Sequence, residues 1–221
     1  QVLQGACFDV SGSKGPGIVA TDGRHLLSAK SMRFPRLKES IILPAHKVYH
    51  SHLLGQAVSW QLRVSTGKAG QHVYRIDGPS WSLSGRLIEG SFPNYRQVVP
   101  ADSKFKTRAT LPAAALEPLV KAIGRMPGGK TQNRPVGLRI DSDSIGILAR
   151  EEEAMSYEEV RVPLTGMKGR ETTVFLNRDY LVKALRFGMN RIEIIDEVSP
   201  VRCVGANEFM IVMPIRHSGE V

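Results

Sequence analysis

The chain has 221 residues, with 30 Lys and Arg against 21 Asp and Glu for a formal net charge of +9, and 42% of its residues are hydrophobic. That balance excludes a disordered basic tail, and the length suits one large domain or two small ones whose cores need no crosslinks. Its two cysteines, Cys7 and Cys203, exclude a disulfide framework and a Cys-rich zinc site, and no apolar run reaches the roughly 18 residues of a membrane span.

In chain order, QGACFDV and PGIVATDG are predicted strands of a unit that lacks an opening strand and helix, so the chain is expected to begin part-way into a domain. Ile41 to Pro44 lead into AHKVYHSHLLG, a predicted short helix ending at Gly55. WQLRVSTG and HVYRIDG are predicted strands, in which Leu62 and Val64 alternate with polar neighbours, as do Val73 and Ile76 less strictly. The order then repeats: Thr110 to Pro112, the helix AALEPLVKAIG, and VGLRIDSDSIGILAR with a turn at Asp141 to Ser144. It repeats again at VFLNRDYLVKALRFG, RIEIIDE, PVRCVG and FMIVMPIR.

Helix starts near Pro44, Pro112 and Asn177 give nearly equal spacings, and the last two helices share Leu-Val-Lys-Ala at Leu119 to Ala122 and Leu181 to Ala184. Agreement of element order, spacing and this word makes an internal repeat. Strands in succession with single helices between them predict an α+β fold of repeated βαβββ units. Charge is uneven: residues 1 to 100 hold twelve Lys and Arg against five Asp and Glu, and the remainder eighteen against sixteen. A basic face of this kind suits phosphate backbones through counterion release.

Three motifs carry less chemistry than they first suggest. Gly124 to Thr131 fits the GxxxxGK[ST] pattern of a phosphate-binding loop, but a helix precedes it and a strand follows, the reverse of the order that aims N–H groups at phosphates. His46 and His50 lie four apart without a third ligand, which predicts a solvated pair beside Lys47 and no metal site. No GxSxG elbow accompanies the serines. Glu151 to Glu153 fall in a loop and are expected to be solvated. Nothing points to an enzyme or a cofactor.

Three segments, Val19-Ala20-Thr21-Asp22-Gly23-Arg24-His25-Leu26, Glu89-Gly90-Ser91-Phe92-Pro93-Asn94-Tyr95-Arg96 and Val212-Met213-Pro214-Ile215-Arg216, together resemble the bacterial sliding clamp, the beta subunit of DNA polymerase III. The resemblance runs from Gln1 to about Arg216. It implies a central clamp domain over residues 1–103, incomplete at its N-terminal edge, a C-terminal clamp domain over 104–221, and an N-terminal clamp domain absent from this chain. It further implies a bacterial, cytoplasmic, nucleoid-associated processivity factor with no catalytic role. Such a factor encircles duplex DNA as a head-to-tail homodimer ring, with helices on the inner face and antiparallel sheets outside. A chain of this extent is then expected to be a monomer. A divergent clamp-like adaptor that binds peptides without forming a ring is the alternative.

On that resemblance, Lys47, Lys121, Arg125, Lys183 and Arg186 face DNA. A hydrophobic pocket takes short peptides of polymerase, clamp loader and repair proteins. One wall comprises Leu3, Thr21, Gly23, Arg24, His25, Leu26, Pro93 and Val98, and the other Asn177, Tyr180, Val198, Ile211, Val212, Met213, Pro214, Ile215 and Arg216. The order Arg24-His25 reverses the usual His-Arg, Gln97 stands where Arg is common, and Pro135 falls near a frequent aromatic, so peptide preference is expected to differ.

Overall fold

The computed structural model describes residues 2–12, 15–30, 36–54, 60–67 and 71–216. They form two compact units, Gln1–Asp22 with Ser28–Asn94, and Gly23–Leu27 with Tyr95–Val221. The division follows Asn94, ahead of the boundary at residue 103 that the resemblance implies.

In the first unit, β1 (Gly5–Asp9) pairs antiparallel with β2 (Gly17–Thr21). A third strand, β3 (His25–Ala29), opens in the second unit and has no counterpart in the sequence reading. On its other side β1 pairs antiparallel with β4 (Ile41–Pro44). Asp9 is buried at the end of β1 because its carboxylate accepts from Ser11 N at 2.9 Å, Ser11 Oγ at 2.8 Å and Ser40 Oγ at 3.2 Å. A second antiparallel sheet follows, β5 (Gln61–Thr66), β6 (His72–Asp77) and β7 (Ser82–Arg86). Tyr74 and Ile76 are the inward pair of β6, and they pack with Ile41, Leu43 and Leu87.

The predicted helix after Pro44 is instead two 3₁₀ turns, Lys47–His50 and His52–Leu54. Backbone bonds skip three residues, Tyr49 N to His46 O at 3.1 Å and Leu54 N to Ser51 O at 3.1 Å. Val48 and Tyr49 are weak helix formers, no side chain caps the start, and Ser51 is extended. Gly55, the expected stop, lies outside the described residues.

The second unit carries the repeat twice. Its first half is β8 (Thr107–Thr110), α1 (Leu116–Arg125), β9 (Pro135–Ile140), β10 (Ser144–Ala149), β11 (Glu158–Pro163) and β12 (Gly166–Gly169). Its second half is β13 (Thr172–Asn177), α2 (Arg178–Arg186), β14 (Arg191–Ile194), β15 (Val201–Val204) and β16 (Glu208–Val212). The opening strand of each half crosses to the other half's sheet, so β8 pairs with β14 and β13 with β9. One sheet runs β11-β10-β9-β13, and in the other β16 lies between β15 and β3.

This exchange locks the halves around one core. Leu119 and Ile123 of α1 meet Leu181, Ala184 and Leu185 of α2 over Leu138, Ile147, Leu176, Ile192 and Met210. Burying a Leu or Ile side chain contributes about 1.5–3 kcal/mol, so these faces hold the helices down. The Asn177 side chain caps α2 by accepting from Asp179 N at 2.8 Å. Buried Glu193 is offset by Arg202, Arg191 and Arg108, with Nε distances of 2.6, 3.0 and 3.3 Å.

Candidate functional site

The start of β3, the N-terminal turn of α2 and the chain end beyond β16 converge in the second unit. Gly23, at φ +87°, takes a left-handed conformation that any side chain would strain, and it turns the chain into β3. Met213 N then donates to Arg24 O at 3.1 Å, and Ile215 N to Phe175 O at 2.8 Å. The terminal segment is thus fixed by backbone bonds, leaving its side chains for other contacts. His25 stacks on Tyr180 with ring centroids 4.2 Å apart and planes at 27°. Lys183 Nζ lies 3.0 Å from His25 Nε2. An ammonium has only protons to give, so in this contact the imidazole nitrogen is the accepting partner.

Of the residues predicted for the peptide pocket, Gly23, Arg24, His25, Leu26, Val98, Asn177, Tyr180, Val198 and Ile211 to Arg216 belong to the second unit, while Leu3, Thr21 and Pro93 belong to the first. Leu26, Ile211 and Val212 are 2%, 3% and 0% exposed, so they are the deeply packed members of the set. The accessible apolar members of the second unit are Met213, Val98 and Val198, at 46%, 51% and 59% exposure. In the first unit Leu3 and Pro93 are exposed and Thr21 is half-buried. The turn bearing Val198 is held by Asp196, which accepts from Val198 N at 3.1 Å, Ser199 N at 2.7 Å and Ser199 Oγ at 2.9 Å. The Ser199 hydroxyl bond is the main cause that lowers the Asp196 pKa below the ordinary carboxylate value.

Lys47, Lys121, Arg125, Lys183 and Arg186 are all exposed. On α1 the buried residues Leu116, Leu119 and Ile123 share one face, which leaves Lys121 and Arg125 on the opposite one. Lys121 Nζ pairs with Glu117 at 2.7 Å, and this bond lowers the Glu117 pKa.

No family model matches the chain. The Beta sliding clamp of Lactococcus lactis subsp. lactis is 25% identical over 209 residues, covering 90% of this chain and 53% of that protein. The crystal structure of the DNA polymerase III beta chain from Streptococcus pneumoniae matches with TM-score 0.78 at 21% identity, covering 98% of this chain and 58% of that one. The beta subunit from DNA polymerase of Streptococcus pyogenes matches with TM-score 0.79 at 18% identity and the same coverage. A Pseudomonas aeruginosa sliding clamp bound to griselimycin matches with TM-score 0.78 at 20% identity. The chain has the sliding-clamp fold. It spans about half the length of the curated relative it matches. The resemblance read from three short segments therefore extends to whole-chain similarity and to fold.

Within this clamp fold, the phosphate-loop look-alike has a different job. α1 runs into it and β9 leaves it, as the sequence predicted. Buried Arg178 donates from Nη1 to Met126 O at 2.7 Å and from Nη2 to Pro127 O, so the loop turns acceptors inward where a phosphate would need donors. Gly128, at φ +73°, gives its N–H to Glu151 Oε1 at 2.9 Å. Glu151 is thus a loop clasp, not merely a solvated acid. Sequence reasoning missed Arg178; its one signal is a charged residue directly after the cap Asn177, at the base of an apolar helix face.

Among the described residues, no group of three His, Cys, Asp or Glu could hold a metal. No helix among them is long and apolar enough to cross a membrane. The first unit of the clamp fold has an open apolar cavity of about 870 Å³ lined by Phe8, Ile18, Leu43, Tyr49, Trp60 and Leu62 among others. None of the predicted pocket or DNA-facing residues lines it.

Proposed function

We propose that this chain is part of a DNA sliding clamp, a non-catalytic, cytoplasmic processivity factor whose complete ring encircles duplex DNA. It recruits polymerase, clamp-loader and repair proteins through short linear peptides. The observation that carries the reading is the arrangement around β3: Met213 exposed and backbone-bonded to Arg24, beside His25 stacked on Tyr180. A flexible thioether against an aromatic platform can seat varied apolar side chains, and neighbouring polar groups orient a peptide backbone. The exposed cations opposite the buried face of α1 support the DNA part of the reading. Long-range attraction to phosphates, without base contacts, lets a ring slide.

The test is fluorescence anisotropy with a labelled pentapeptide of Gln, Leu and Phe. Binding is expected in the micromolar range, about −8 kcal/mol. Met213→Ala, which removes exposed apolar surface without touching the core, is expected to weaken it about fivefold or more. Absence of binding, or equal binding by the variant, refutes the site.

A further inference from the structure

A row of charges crosses β12, β8, β14 and β15 on the face of their sheet turned away from α1 and α2. Ala109, Ile192, Ile194, Val201 and Cys203 belong to the core beneath the helices, so strand alternation sends Arg108, Glu193 and Arg202 to the opposite face. Lys168 stands directly across from Arg108, Arg108 from Glu193, and Glu193 from Arg202. Arg191, two residues before Glu193 on β14, flanks the row on the same face.

Glu193 is 2% exposed, and its two oxygens are divided among three arginines. Oε1 accepts from Arg191 Nε at 3.0 Å and faces Arg108 Nε at 3.3 Å, and Oε2 accepts from Arg202 Nε at 2.6 Å. Arg202 is held further by Asp102 Oδ1 at 2.7 Å and by the Phe105 ring, whose centroid lies 4.2 Å from its Cζ. Arg108 Nη2 donates to Asp102 O at 2.7 Å. Nη1 of Arg108, both terminal nitrogens of Arg191 and the exposed Lys168 ammonium have no partner among the described residues. Four cations thus meet two carboxylates, Glu193 and Asp102, and two positive charges stay unbalanced. Lys168 and Arg108 are like charges opposite one another on neighbouring strands, and Arg108 and Arg191 converge on a single oxygen. Both arrangements are repulsive, and an anion seated over them relieves both.

We propose that this face is a binding site for a phosphate group, gripped between the Arg108 and Arg191 guanidinia with Lys168 adding charge from β12. Guanidinium forks match the oxygens of a phosphate in spacing and charge. Buried Glu193 fixes the three arginines in advance, so little side-chain freedom is lost on binding. The site offers unspent donors, whereas the loop at Gly124 to Thr131 turns carbonyl acceptors inward.

Isothermal titration of the chain with sodium phosphate and with AMP at about pH 8, against sodium chloride at matched ionic strength, tests this. Phosphate is expected to bind with a Kd of roughly 1 mM. Arg191→Gln leaves Glu193 to Arg202 and Arg108 and is expected to weaken binding about tenfold. Lys168→Gln, a fully surface change, is expected to weaken it about three- to fivefold, and Lys130→Gln in the loop not at all. Equal affinity for AMP assigns the site to the phosphate group alone, and tighter AMP binding adds contacts to the nucleoside; either supports the proposal. A response no larger than that of chloride overturns it, as does AMP binding without phosphate binding. So does affinity that survives both Arg191→Gln and Lys168→Gln, or a loss confined to Lys130→Gln, which would move the phosphate to the loop.

Discussion

Replacing Arg178 by Met tests how the second unit holds the loop between α1 and β9. The Arg178 side chain is 2% exposed, and its two terminal nitrogens serve Met126 O and Pro127 O. Burial, then the nearby Arg134, lowers its pKa below the ordinary guanidinium value, while Asp179 and Glu151 act the other way. Methionine refills most of the volume, so lost packing costs under about 1.5 kcal/mol. Each carbonyl left without its donor costs about 1–3 kcal/mol. Removing the charge recovers part of its burial cost. The net destabilisation expected is about 2–4 kcal/mol. Among the described residues both α-helices, α1 and α2, lie in the second unit, so far-ultraviolet circular dichroism in urea follows the unit that matters. With a slope of about 2 kcal/mol per M, the transition moves down by about 1–2 M. Arg178→Lys recovers only part of this, because one ammonium does not span two carbonyls as a planar fork does. An unmoved midpoint in Arg178→Met would show that the Gly128–Glu151 bond and the Thr131 turn hold the loop without the guanidinium.

Two further outcomes follow from the same geometry. The folded-state pKa of Asp196 lies below its ordinary 3.8, so its stabilising bonds to Ser199 and Val198 are present above that pH and are lost as pH falls through the folded value. Asp196→Asn is expected to remove this acid-sensitive part of the stability, measured as urea midpoints from pH 7 down to about 2; an unchanged pH profile refutes it. The Cys203 thiol is pushed up to about 12 by burial and then by Glu193, so it stays protonated at neutral pH. In a Cys7→Ala background, a thiol reagent is expected to label it only as fast as the second unit opens. Labelling within seconds in the absence of denaturant would contradict that burial.

Where the sequence spoke clearly about the fold, periodicity and cap chemistry agreed. Asn177 was read as the start of a helix, and its side chain is the cap of α2. Leu119, Ile123, Leu181 and Leu185 recur at helical spacing and form the core. The departures have local causes. Val73 and Ile76 are three residues apart, and on a strand such residues face opposite sides, so Ile76 had to pair with Tyr74. After Pro44 the spacing suits a helix, but the Tyr49 hydroxyl bonds the Tyr74 hydroxyl at 3.3 Å and Trp81 Nε1 bonds Leu54 O at 2.8 Å. Those tertiary bonds suit short turns laid on a sheet, and no local propensity opposes them.

The candidate site was legible as a set of segments but not as a set of side chains. Motif spacing located Arg24, His25, Tyr180 and Met213, which backbone bonds and ring stacking join. It could not tell that Ile211 and Val212 are deeply packed, because β16 is a central strand whose Met210, Ile211 and Val212 are all buried, so alternation vanishes. Lys183 marks the deeper limit. Leu-Val-Lys-Ala gives both helices a lysine on the same relative face, and sequence alone assigns both the same role. The difference lies one turn earlier, where Glu117 reaches its lysine and Asp179, one methylene shorter, bonds Arg134 instead. Arg134 in turn sits at φ +43°, in the loop whose hold on the second unit runs through Arg178. Lys183 thus meets His25 where the acid one turn before it is held by Arg134, a residue of that same loop.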